Sequence, residues 1–69
     1  SQLNVTLLDD INIKEVDFIN LNGIKIKPNK IYKTKNVLDI DVSNLNEGVY
    51  ILEMLTDKDI NKIKIIIER

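Results

Sequence analysis

Asp39 and Asp41 stand two residues apart among apolar neighbours, so on a β-strand both carboxylates leave the same face and could share a hard cation such as calcium. Calcium takes about six to eight oxygen ligands, and no Asp-x-Asp-x-Asp-Gly loop accompanies the pair, so a solvated outer face is the reading it receives. Asp9-Asp10 and Asp57 with Asp59 read as turn residues. A carboxylate pair working as acid and base would need a cleft around a sugar, which so short a chain does not readily enclose. The chain has no Cys and no His, which removes thiolate chemistry, disulfides, the commonest zinc ligand and the usual general base. These residues support no catalytic role, no metal site and no cofactor.

Lys25, Lys27, Lys30, Lys33 and Lys35 form the one basic cluster, with Tyr32 inside it and no acid between them. Phosphate recognition would normally add arginines for bidentate contacts and aromatics for stacking. Here the only Arg is Arg69, and the aromatics are Phe18, Tyr32 and Tyr50. With ten basic against eleven acidic residues there is no long-range positive field, so nucleic acid is not an expected partner. A solvated edge that discourages strand-to-strand aggregation fits better, with docking to an acidic partner as the alternative.

Sixty-nine residues allow one small domain, burying only about 60% of its unfolded surface. The run Ile65-Ile66-Ile67 falls far short of the roughly 20 apolar residues of a membrane-spanning helix, so no transmembrane segment is expected. The opening residues "SQLNVTLL" lack the basic region and cleavage site of a signal peptide. Thirteen Ile, nine Asn and nine Lys with no Ala point to AT-rich coding and lower helix propensity throughout.

The elements that must position these side chains read as strands. Leu3, Val5 and Leu7 alternate with polar residues, as do Val16 and Phe18, which predicts antiparallel strands with one wet face. Asn22-Gly23 predicts a hairpin folding residues 16–21 back on 24–27, and Pro28-Asn29 then breaks the strand. Residues 30–36 read as a loop or a weak edge strand. Leu38, Ile40 and Val42 predict a further strand, which turns through residues 43–48 into 49–55 with Tyr50, Leu52 and Met54 inward. After a turn at Asp57-Lys58-Asp59, Ile63, Ile65 and Ile67 alternate with Lys62, Lys64 and Glu68, while Ile66 interrupts the polar face and predicts partial burial there. Turn signals every eight to twelve residues predict an all-β fold, a small antiparallel Ig-like β-sandwich of six or seven short strands.

Three stretches in order, "VDFINLNGIKIK" at 16–27, "IDVSNLNEGVYILEML" at 40–55 and the closing "NKIKIIIER", resemble the type A C-terminal sorting domain of cargo proteins of the Bacteroidetes type IX (Por) secretion system. The middle motif fits without a gap from Ile40 to Tyr50, Asn20 and Gly23 take the matching places of the first, and Lys62 and Lys64 those of the last strand. The Pro-Asn-Pro segment that usually opens such domains is missing before Ser1, which puts the role of the first strand in question.

The resemblance implies that residues 1–69 are one non-catalytic sorting domain, the C-terminal fragment of a larger secreted precursor. Its cargo would pass through the periplasm of a Gram-negative bacterium to the cell surface. The type IX translocon, outer-membrane shuttle proteins and a sortase-type peptidase that removes the domain are the implied partners. Asn20, Gly23, Asp41, Gly48, Tyr50, Lys62, Lys64 and Arg69 are the partner-recognition candidates; Gly48 and Tyr50 read equally as a turn pivot and an inward ring. The Ile-rich last strand also offers an edge for a dimer. An accessory adhesion or spacer module of a bacterial surface protein is the alternative that the same fold allows.

Overall fold

A computed structural model describes residues 2–7 and 10–69, so Asp9, read above as a turn residue, lies outside the described part. Seven strands follow in chain order: β1 (Gln2–Thr6), β2 (Ile13–Ile19), β3 (Lys25–Ile26), β4 (Lys30–Thr34), β5 (Val37–Asp41), β6 (Gly48–Thr56) and β7 (Ile60–Ile67). They divide into an antiparallel sheet of order β1-β5-β4 and another of order β3-β2-β6-β7. The three- and four-stranded antiparallel sheets make a small β-sandwich. Within it the strand order is this chain's own, because β2 lies between β3 and β6 rather than beside β1.

The core fills the space between the sheets because period-two alternation sends one apolar row from each strand inward. Leu38 and Ile40 enter from one sheet, Val16, Phe18, Tyr50, Leu52, Met54 and Ile67 from the other, with Val42 and Leu45 closing one end. Phe18 and Tyr50 meet edge to face at 6.2 Å and 90°, the arrangement ring quadrupoles favour. Ile13 and Val16 are three apart and would alternate to opposite faces. A bulge between Ile13 and Glu15 turns both toward the core.

The hairpin between β2 and β3 forms, but its loop is one residue longer than a two-residue Asn-Gly turn. Asn20 and Ile24 form the closing pair, with the Asn20 N–H donating to the Ile24 carbonyl at 3.0 Å and Gly23 N–H to the Asn20 carbonyl at 3.0 Å. Leu21, Asn22 and Gly23 make the loop, and Gly23 at φ +80° takes the left-handed place that such three-residue loops need. Residues 30–34 are an exposed edge strand, closed onto β5 through Lys35-Asn36.

Two expectations about faces are corrected. Ile66 is not partly buried: it is 64% exposed, because its row on β7 is the outer one and no element among the described residues packs over that face. The outer face of β2 is not fully wet either, since Asp17 lies covered there with the Lys27 ammonium 3.0 Å from its carboxylate.

The five-lysine cluster does not persist as one surface. Lys25 and Lys27 adjoin the four-stranded sheet and meet Glu53 (3.2 Å), and Asp17 and Glu15 (4.0 Å) respectively, whereas Lys33 lies on β4 and reaches Asp10 at 2.6 Å. Asp17 holds the Lys27 ammonium above its ordinary pKa through their hydrogen bond and charge, with Glu15 adding a smaller attraction.

Candidate functional site

The stretch from Asp41 to Tyr50 carries the chain from the three-stranded to the four-stranded sheet, and its side-chain polar groups are largely bonded within the molecule. The Asp41 carboxylate accepts the Ser43 N–H at 2.9 Å and the Asn29 side-chain amide at 3.1 Å. These hydrogen bonds favour the charged form, the Ser43 backbone contact most, and hold the Asp41 pKa down at about 2. Leu45 N–H donates to the Val42 carbonyl at 3.0 Å, which turns the chain and drops the Leu45 side chain into the core.

Tyr50 buries its ring beside Phe18 while its hydroxyl donates to the Asn46 carbonyl at 2.7 Å. A tyrosine near the start of the sixth strand, bonded to backbone a few residues upstream, is the device that pins the equivalent corner of immunoglobulin-type sandwiches. Gly48 stands at φ +156°, a backbone region almost confined to glycine, while a Cβ there would meet only the Tyr50 ring at 3.9 Å. Its requirement is therefore conformational rather than one of space.

Arg69 closes the corner from outside. Its guanidinium donates to the carbonyls of Val42 (2.6 Å) and Leu45, and its backbone N–H to Glu47 Oε1 at 2.9 Å. Carbonyls 42 and 45 are left without sheet partners by the sharp turn, so a fork of N–H donors is the group that suits them. Asn44 ties the corner to the segment that follows β3 by donating to the Lys27 carbonyl at 3.0 Å.

Asn20 and Gly23 belong to a second structural device. The Asn20 side-chain oxygen accepts the N–H groups of Asn22 (2.9 Å) and Ile24 (3.0 Å), so both residues are spent on the hairpin turn, which leaves Leu21 and Ile24 exposed at its tip. Lys62 and Lys64 project from the outer face of β7, opposite Glu53 and Ile51, with Lys62 Nζ 3.7 Å from Glu53.

The registers bring most of these residues together. Ile19, the last residue of β2, pairs with Ile51, and Gly48 pairs with Ile67, so the Asn20–Gly23 turn, the corner and the end of β7 share one end of the sandwich. Lys62 stands farther along, level with Asp17. Reading the sequence missed Asn44, Glu47 and Asn46: the last acts through its carbonyl, for which a side chain gives no signal, and Glu47 serves a residue 22 positions away. Among the described residues no group of three or more acidic side chains is placed to hold a metal ion.

A model of the family described as "Secretion system C-terminal sorting domain" matches residues 1–68. No curated protein and no solved structure matches the chain.

Proposed function

The chain belongs to the family of type IX secretion C-terminal sorting domains, and on that premise we propose that it directs an attached cargo outward without chemistry of its own. Membership makes it a sorting signal, with export to the cell surface or secretion as its outcome. The finer reading is that the cargo crosses the periplasm of a Gram-negative cell. There the translocon and an outer-membrane shuttle protein take hold of the folded domain, and a sortase-type peptidase removes it at the surface. In this reading residues 1–69 act as one unit attached to the end of a larger precursor.

The observation that carries the reading is the family match over almost the whole chain. The division of labour in the sandwich supports it: the middle motif is consumed in building a corner, while β7 keeps an unpaired edge that a receptor strand can join through main-chain hydrogen bonds. Lys62 and Lys64 flank that edge and Arg69 fixes its end, so the recognition role is assigned to them rather than to Gly48 and Tyr50.

A reporter fused ahead of this chain tests it in a type IX-competent bacterium. The full domain is expected to deliver the reporter to the surface, and removal of residues 62–69 to leave it in the periplasm. Unchanged surface delivery after that removal overturns the proposal.

A further inference from the structure

β7 is the longest strand with a free edge, eight residues against the five of β1 and β4. The parity of that edge follows from the turn that precedes it. Thr56 N–H donates to the Asp59 carbonyl at 2.9 Å, which makes 56 and 59 a hydrogen-bonded pair. Alternation along the ladder then directs the main-chain groups of 61, 63, 65 and 67 toward β6 and leaves those of Ile60, Lys62, Lys64 and Ile66 pointing away. Among the described residues no strand takes them. The side chains of the same four residues stand on the outer face of the sheet, Ile60 and Ile66 both exposed.

We propose that this edge pairs antiparallel with the same edge of a second copy, in a register centred on Ile65. The partner strand must present even-numbered residues to even-numbered ones, so the two-fold axis falls on a whole residue, and few choices exist. Centring on Ile63 sets Lys62 against the partner's Lys64 twice, and centring on Lys64 sets that lysine against itself; like charges directly opposite disfavour both. Centring on Ile66 sets Lys64 against the partner's Glu68 but opposes only residues 65–67 of the two strands, against 63–67 when the axis falls on Ile65.

Only the Ile65 register gives two symmetric Lys62–Glu68 pairs, sets each Lys64 stem against the partner's Ile66, and continues the inner row with Ile63 against the partner's Ile67. Glu68 is exposed and has no cationic partner among the described residues, so the pairing uses a charge the monomer leaves unspent. The contact is isologous, as a closed dimer requires, and joins two four-stranded sheets into one of eight. Ile63 and Ile66 explain why an edge guarded by lysines still favours association: the lysines veto the wrong registers and the isoleucines reward the remaining one.

This pairing does not depend on the export reading, and a receptor strand joining β7 would displace it from the same edge. Sedimentation equilibrium of the 69-residue chain is expected to show a concentration-dependent dimer. Glu68→Lys should weaken it about tenfold, the sum of two exposed charge pairs reversed, and Lys62→Glu combined with Glu68→Lys should restore it. Because the chain has no Cys, introduced cysteines report the register without background. Mixed Lys64→Cys and Ile66→Cys chains should cross-link with each other, since directly opposed residues lie about 5.5 Å apart between Cα atoms, within disulfide reach. Both positions are exposed, so these variants keep the fold. A chain that stays monomeric at every concentration overturns the proposal, as does preferred cross-linking of Lys62→Cys with Lys64→Cys. Binding of an extended peptide of another sequence to a strictly monomeric chain would assign the edge to that strand instead.

Discussion

The corner between β5 and β6 and the free edge of β7 lie against each other at one end of the sandwich, yet they treat their polar groups in opposite ways. In the corner the Tyr50 hydroxyl, the Asp41 carboxylate and the carbonyls of Val42, Leu45 and Asn46 all find partners inside the molecule. Along β7 the outward main-chain groups find none among the described residues. A motif that identifies a family can thus be mostly a statement about folding, while the main-chain groups left open for pairing lie on a plainer strand of lysine and isoleucine. Recognition needs unsatisfied groups, and the corner has few to offer.

Tyr50 gives the largest way to break that comparison. Tyr50→Ala removes a buried ring from beside Phe18 and should cost about 3–5 kcal/mol in urea unfolding, close to the whole stability of so small a domain. Tyr50→Phe keeps the ring and loses only the bond to the Asn46 carbonyl, for about 1 kcal/mol. If the corner is structural, export of a fused reporter should fall with Tyr50→Ala and survive Tyr50→Phe. Lost export with intact stability in Tyr50→Phe would move the hydroxyl to the recognition surface.

Gly48 comes next. Its φ of +156° lies where a Cβ is penalised by the residue's own backbone, and the nearest foreign atom is 3.9 Å away. Gly48→Ala should therefore cost about 1–3 kcal/mol and Gly48→Val somewhat more, because a β-branched side chain tolerates positive φ least, as thermal unfolding can measure. A much larger cost for valine would show that the corner is crowded rather than strained.

How far the fold could be read beforehand follows the same division. Strand alternation made β5 and β6 legible, since Leu38, Ile40, Tyr50, Leu52 and Met54 are inward, and the interval between them is a corner. The Asn22-Gly23 hairpin was legible as a hairpin but not in its loop length, because the Asn20 side chain captures two N–H groups and adds a residue. The bulge near Lys14 and the burial of Asp17 arise from how β2 sits between its neighbours, and no window of sequence contains that information. The basic cluster misled because nearness along the chain is not nearness in space: β3 and β4 belong to different sheets. Of the candidate site, Gly48 and Tyr50 were visible from the motif. The work of Arg69 was not, since its acceptors are main-chain carbonyls 27 and 24 positions away.

Asp41 tests the corner by titration. Its carboxylate, held at a pKa of about 2, ionises more readily in the folded chain than in the unfolded one, where about 3.9 is usual. The stability it contributes is fully present above about pH 4 and is lost as the pH falls through about 2. Asp41→Asn keeps an oxygen for the Ser43 N–H but has no charge to lose, so its stability should fall less steeply between pH 4 and 2, the two curves converging at the acid end. Parallel curves over that interval would mean that the charge adds nothing to the corner.

The smallest effect on folding belongs to the edge, and there its smallness is informative. Lys62 and Lys64 are exposed on β7, and the one ion pair that either makes among the described residues, Lys62 with Glu53, spans 3.7 Å at a surface where such contacts contribute about 0–1 kcal/mol. Lys62→Ala with Lys64→Ala should change the unfolding free energy measured in urea by no more than about 0.5 kcal/mol, as surface substitutions do. The same double variant should reduce surface delivery of a reporter sharply if the outward face of β7 is what the secretion machinery reads. An export defect without a folding defect is the signature that separates an address from a scaffold, and Tyr50→Ala, which removes both together, cannot supply it. Full delivery by the double variant would return the address to the corner and its Gly48 and Tyr50, and with it the contrast between the two regions would collapse.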